Sequence, residues 1–133
     1  EELELLDISG LRAFMESRLF SRMQRAAEEG LLWREQRFMA AFPASELQPS
    51  GSDAPQLLQG VIDAYFEENG ELVIVDYKTD RLYEEEAFFE RYGIQLGLYR
   101  KALEKLSKKR VKECLIYSTA LNRELMYNFL NKS

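Results

Sequence analysis

A chain of 133 residues that is 46% hydrophobic and 12% aromatic can close one hydrophobic core and little more, which predicts a single domain. It has no histidine and one cysteine, Cys114, so serine–histidine triads, histidine-bound zinc and disulfide frameworks are excluded within it. The net charge of −5 runs against the usual basic surplus of nucleic-acid-binding domains, and no phosphate-cradling glycine loop or dinucleotide fingerprint is present.

The chain opens on Glu1 and its first methionine is Met15, which reads as a cut inside a longer polypeptide. No apolar run approaches the roughly 20 residues that span a bilayer, and no signal segment is visible, so a soluble, cytoplasmic protein without a membrane partner is expected. Apolar residues at Leu11, Phe14, Met15, Leu19, Met23 and Ala26 recur at helical spacing, which predicts one helix capped by Ser9 and stopped by Gly30. Arg18, Arg22 and Arg25 lie along one side of it, in the manner of a solvated face.

Residues 31–41 alternate like a strand, and residues 43–55, rich in Pro, Ser, Asp and Gly, read as a loop. Two strand-like runs, 59–66 and 72–78, flank Asn69-Gly70, the strongest short-range hairpin signal. Glu84 to Glu86 suit the positive end of a second helix that runs to about Lys108, with Lys101, Lys105, Lys108 and Lys109 near its negative end. A strand over 111–118, where Cys114 is a small core residue, and a last apolar segment over 125–130 complete the order. The fold class is α/β, a mixed sheet flanked by helices.

A two-residue turn at Asn69-Gly70 sets Glu68 opposite Glu71 and, counting back, Asp63 opposite Asp76. Strand alternation turns Lys78 to the same face as Asp76 and Tyr77 to the other. Opposed carboxylates repel unless something neutralises them, and the apolar run Leu72-Val73-Ile74-Val75 marks a central strand whose polar end opens into a crevice. A divalent cation is the natural neutraliser, and oxygen donors favour Mg²⁺, with Mn²⁺ as a substitute. Asp63 and Asp76 are then metal ligands, the main-chain carbonyl of Tyr77 is a further one, and Lys78 orients or helps deprotonate a water and offsets phosphoryl charge.

These residues carry a resemblance. Gly60-Val61-Ile62-Asp63, Asp76-Tyr77-Lys78-Thr79, and Gln95 followed by Tyr99 resemble the motifs of the RecB-type PD-(D/E)xK nucleases, over roughly residues 31–118. Within that family the run 76–81 looks most like the nuclease domain of a helicase-bearing recombination-repair protein. The resemblance implies a restriction-endonuclease-like fold and the same roles for Asp63, Asp76 and Lys78. It adds Gln95 as a catalytic residue, with Tyr99 one helical turn on and Glu35 as further candidates.

It also implies a bacterial, Mg²⁺-dependent deoxyribonuclease acting on single strands delivered by a helicase region of the same parent chain, with a second protein as its partner in the complex. RecB-type nucleases usually carry a metal-binding histidine on a helix upstream of the part matched here, and this chain has none, so weak activity of the chain alone is expected. The family's iron–sulfur members carry several cysteines, and Cys114 alone sets the chain apart from them. The alternative is a catalytically silent module for protein contact or DNA guidance.

Overall fold

In the computed structural model, which describes residues 8–47 and 53–129, five strands form one sheet in the order β1-β2-β3-β4-β5. They are β1 (Leu32–Pro43), β2 (Pro55–Glu68), β3 (Glu71–Lys78), β4 (Val111–Ser118) and β5 (Arg123–Met126). Every neighbouring pair is antiparallel except β3 and β4, which run parallel. A parallel pair needs a long crossover, and the helix α4 (Glu85–Ser107) supplies it. The sheet is therefore mixed, and β3, buried from Leu72 to Asp76, is its central strand.

Two cores cover the two faces. On one, Phe88, Leu96, Ala102 and Leu103 of α4 pack on Ile62, Leu72, Ile74, Cys114 and Ile116. On the other, Leu19, Met23 and Ala26 of α2 (Arg18–Glu28) pack on Ala64, Phe66, Val73, Val75, Leu115 and Tyr117. Alternate residues of β3 and β4 thus serve opposite cores, as the period of two requires. Cys114 is fully buried, and burial pushes its thiol up to about 12.

The hairpin is formed as expected. Asn69 and Gly70 both have positive φ, 54° and 83°, which is what a two-residue turn of the favoured hand demands. Glu68 pairs with Glu71, and the same register continues to Ala64 and Val75.

Three expectations are corrected. The first helix is broken into α1 (Ile8–Met15), with Ser9 inside it, and α2. Ser17 is the cause: its hydroxyl accepts from the Phe20 amide at 3.0 Å and donates to the Phe14 carbonyl at 2.6 Å, so it caps α2 in place of continuing α1. At the other end Gly30 does stop α2, with φ 74° and bonds from Gly30 and Leu31 amides back to Ala27 and Ala26. The expected loop over 43–55 is shortened at both ends. Pro43 and Pro55 still pair across β1 and β2, α3 (Ala44–Leu47) follows, and residues 48–52 lie outside the described residues.

The third correction concerns the arginine row. Arg18 and Arg25 are exposed, but Arg22 is buried and ion-paired to Glu68 at 2.8 Å and Glu113 at 3.0 Å. Lys112 also meets Glu68, at 2.9 Å. The hydrogen bond from Arg22 is the main cause that lowers the Glu68 carboxyl to about 2, burial opposing it and Lys112 assisting. The folded value lies below the unfolded one, so this contribution is present above the ordinary carboxylate range and is lost as pH falls toward 2. Arg22→Met leaves Glu113 without its cation and should cost about 2 kcal/mol near neutrality, less than a fully buried pair because the acids are partly solvated. Urea denaturation would show a lower midpoint at unchanged slope, and the difference from the parent chain should shrink below pH 4; an equal midpoint at pH 7 would refute the pairing.

Candidate active site

The site lies where β2 and β3 leave the hairpin ladder. Asp76 is the last buried residue of β3, at 4% exposure, and Asp63 takes the position across from it on β2. The ladder ends at Ala64 and Val75, and the Asp63 carboxylate replaces its next rung by accepting from the Tyr77 amide at 2.9 Å. Tyr77 turns its side chain to the α2 face, where the ring meets Phe14 and its hydroxyl approaches the Met23 sulfur at 3.7 Å. Lys78 turns back to the Asp76 side, with Nζ 3.1 Å from Asp76 Oδ2. The alternation expected from sequence holds.

A feature that alternation does not give lies one step along β2. Ile62 belongs to the α4 core, whereas Ala64 and Phe66 belong to the α2 core. On β1, Phe38, Ala40 and Phe42 serve the α4 core while Leu32 packs on the other. Both strands exchange faces between these points. The pairing Arg34 with Ala64 and Gln36 with Ile62 isolates the position shared by Glu35 and Asp63, and Glu35 takes φ 49° there. A left-handed glutamate is uncommon and costs of order 1–3 kcal/mol, a strain usually found beside functional groups. It lets Asp63 stay on the Asp76 side while Ile62 still enters the same core.

Glu35 itself is exposed and its carboxylate makes no ion pair among the described residues. The structure brings it level with Asp63 in the ladder without joining it to the carboxylate pair. Gln95 and Tyr99 are one turn apart on α4. Gln95 Oε1 is buried with no hydrogen-bond partner among the described residues. The Tyr99 ring packs edge-on against Phe38, centroids 5.6 Å apart, over the bare backbone of Gly60. A Cβ at Gly60 would lie 3.1 Å from the Phe38 ring and 3.5 Å from Tyr99, so glycine there admits both rings. The Tyr99 hydroxyl is raised first by burial and then by the Asp76 charge, which places it within the field of the pair.

Burial is also the first cause that pushes the Asp76 carboxyl up to about 7; a hydrogen bond to Asp63 and the Asp63 charge add to it, and Lys78 opposes. Lys78 is raised as well, which for an amine favours the charged form. Burial lowers it, but Asp76, Tyr92 and Asp63 outweigh that and hold it above its ordinary value, so it is an ammonium at neutral pH. Asp76 Oδ2, although 3.1 Å from that ammonium, lacks a hydrogen bond of acceptable geometry. Two close carboxyl groups, one of them buried with a single ammonium beside it among the described residues, form a donor set that fits a hard divalent cation. Among the described residues no third carboxylate, cysteine or histidine joins them.

Sequence reasoning left one group out. Asp80, just beyond β3, accepts from the Tyr92 hydroxyl and from Arg91 Nη1, both at 2.8 Å, and the Tyr92 ring lies 4.1 Å from Lys78 Nζ. The helical spacing of Tyr92, Gln95 and Tyr99 was the available signal.

A domain with this sheet and this carboxylate–lysine end is a nuclease domain: the chain belongs to the PD-(D/E)XK nuclease superfamily, whose family model matches residues 2–130. Among its relatives is an ATP-dependent helicase/nuclease protein of Lachnoclostridium phytofermentans, 34% identical over 94% of this chain and 12% of the relative. The proteins of the same name from Clostridium perfringens strain SM101 and Ruminiclostridium cellulolyticum are 37% and 38% identical, over 94% and 84% of this chain. The chain spans about a tenth of the length of these relatives, 12%, 10% and 9% respectively.

The Asp76 shift has a measurable consequence. Its folded value lies above the unfolded one, so the folded state holds an extra proton between about pH 4 and 7 and loses stability as pH rises through that window. Asp76→Asn removes the penalty. Without metal, the melting temperature of Asp76→Asn minus that of the parent chain should grow from pH 4 to 7, and Mn²⁺ should raise the melting temperature of the parent chain only. A difference independent of pH would mean that Asp76 is not buried beside Asp63 as described.

Proposed function

We propose that this chain is a metal-dependent deoxyribonuclease domain that hydrolyses phosphodiester bonds of single-stranded DNA. The DNA would be delivered by a helicase region of the same parent polypeptide during processing of double-strand breaks for recombination. The observation that carries the reading is the pair of buried Asp76 and half-buried Asp63, with Lys78 beside Asp76. Asp63, Asp76 and the main-chain carbonyl of Tyr77 would hold Mg²⁺, or Mn²⁺ in its place. The cation would activate a water and neutralise charge developing on the phosphate.

The residues divide the remaining work. The Tyr77 amide fixes one Asp63 oxygen and so orients the carboxylate at the strand end. Lys78, held as an ammonium, stabilises negative charge on a phosphoryl oxygen; in that state it donates protons and cannot accept one. Gln95 brings a buried carbonyl oxygen free to accept from water, and Tyr99 closes the apolar wall beside it. Glu35 would act through the backbone turn that places Asp63.

The relatives' name joins helicase and nuclease in one protein, which supports a domain tethered to a motor. Tethering supplies DNA at high effective concentration, so an acidic domain needs little affinity of its own. The parent would be of the AddA type, working with an AddB-type partner in the bacterial cytoplasm. None of the described helices is long and apolar enough to cross a membrane.

In the helicase–nuclease that carries this domain, Asp76→Ala or Lys78→Ala should lower single-strand cleavage by about a thousandfold, while ATP-driven unwinding stays within about twofold. Gel assays of both activities on one preparation decide it. Parallel loss of unwinding and cleavage, or full cleavage by Lys78→Ala, would remove the assignment.

A further inference from the structure

We propose that Tyr92, tethered by Asp80 and Arg91, is a positioning residue for Lys78. A lysine carries its charge on a flexible four-carbon stem, and an unguided ammonium samples many rotamers. Here Nζ is held on two sides, by Asp76 Oδ2 at 3.1 Å and by the Tyr92 ring, with its centroid at 4.1 Å. The ring is itself anchored. Its hydroxyl donates to Asp80 Oδ2 at 2.8 Å, and Arg91 Nη1 donates to the same oxygen at 2.8 Å. Burial would raise the Asp80 carboxyl, but these two hydrogen bonds outweigh it, and Asp80 is held below its ordinary value as a carboxylate. The segment after β3 is thereby tied to α4 two residues from the lysine it serves.

The two partners of Lys78 differ in what they leave it free to do. A cation taken up by Asp63 and Asp76, in the nuclease reading on which this role rests, would compete for the carboxylate that Lys78 touches. The ring face loses nothing in that exchange. It attracts the ammonium through its quadrupole without a strong acceptor atom, so the N–H groups remain available to a phosphoryl oxygen. Tyr92 therefore keeps Lys78 aimed at the site when its carboxylate partner is engaged elsewhere.

The test has one arm independent of activity. In the 133-residue chain labelled with ¹³C-lysine, the ε-methylene signal of Lys78, identified by its loss in Lys78→Ala, should lie upfield of the other lysines because of the ring current. It should stay upfield in Tyr92→Phe, which keeps the ring, and return to the common position in Tyr92→Leu. A Lys78 signal among the other lysines in the parent chain, or one unmoved by Tyr92→Leu, overturns the contact.

In the helicase–nuclease that carries the domain, Tyr92→Leu should lower kcat of cleavage by about fivefold to tenfold with KM for DNA within about twofold. Tyr92→Phe and Asp80→Asn should stay within about threefold of the parent enzyme. Unchanged kcat in Tyr92→Leu beside an inactive Lys78→Ala overturns the positioning role and leaves the nuclease reading intact. Full activity of Lys78→Ala overturns both.

Discussion

Asp76 ends the buried stretch of the central strand at 4% exposure, faces Asp63 across the hairpin, and among the described residues has one cation, Lys78, in contact. Taking such a carboxylate out of water is costly, and a like charge beside it raises the cost. The chain concedes part of this by holding the Asp76 carboxyl protonated well above the usual range. The rest of the architecture keeps the pair in place against that repulsion. Val73, Ile74 and Val75, all at 0% exposure, fix β3 between two cores, so Asp76 cannot withdraw to solvent without dragging the central strand.

The exchange of faces at Glu35 and Asp63 solves a second difficulty. Strictly alternating strands would send Ile62 and Ala64 to the same core, yet α2 and α4 lie on opposite faces and each claims one of them. A single left-handed residue on β1 permits the exchange, and the free edge it creates at Asp63 is where the Tyr77 amide finds its acceptor. Local strain and the missing rung thus occur at one place, beside the carboxylate pair.

Much of this was legible in the sequence because it depends on neighbours along the chain. Asn69-Gly70 dictates the turn, the turn dictates the register, and the register brings Asp63 to Asp76. Strand β4 over Val111–Ser118 and the long helix α4 followed from periodicity and end charges. What stayed hidden depends on contacts between distant residues. The apolar spacing from Leu11 to Ala26 runs unbroken through the Ser17 cap, so periodicity could not reveal the break. Arg22 looked solvated because its partners, Glu68 and Glu113, lie far along the chain. The face exchange needs a positive φ at Glu35, a residue type that gives no warning of one.

Net charge misleads here for a related reason. The hairpin-turn end of the sheet gathers Glu67, Glu68 and Glu71, and each is met by a cation: Lys109 at 2.6 Å, Arg22 and Lys112 at 2.8 and 2.9 Å, and Arg110 at 2.8 Å. That acidity is settled locally, and at a distance beyond the Debye length of about 8–10 Å it has little influence on a bound phosphate. The other end of the same strands is arranged differently. Arg34 and Arg37 flank Glu35 on β1, exposed and in no ion pair among the described residues, and Lys78 stands beside the carboxylates. The sum over the chain therefore does not describe the field at the carboxylate pair, where Lys78 is the cation in contact with Asp76 among the described residues.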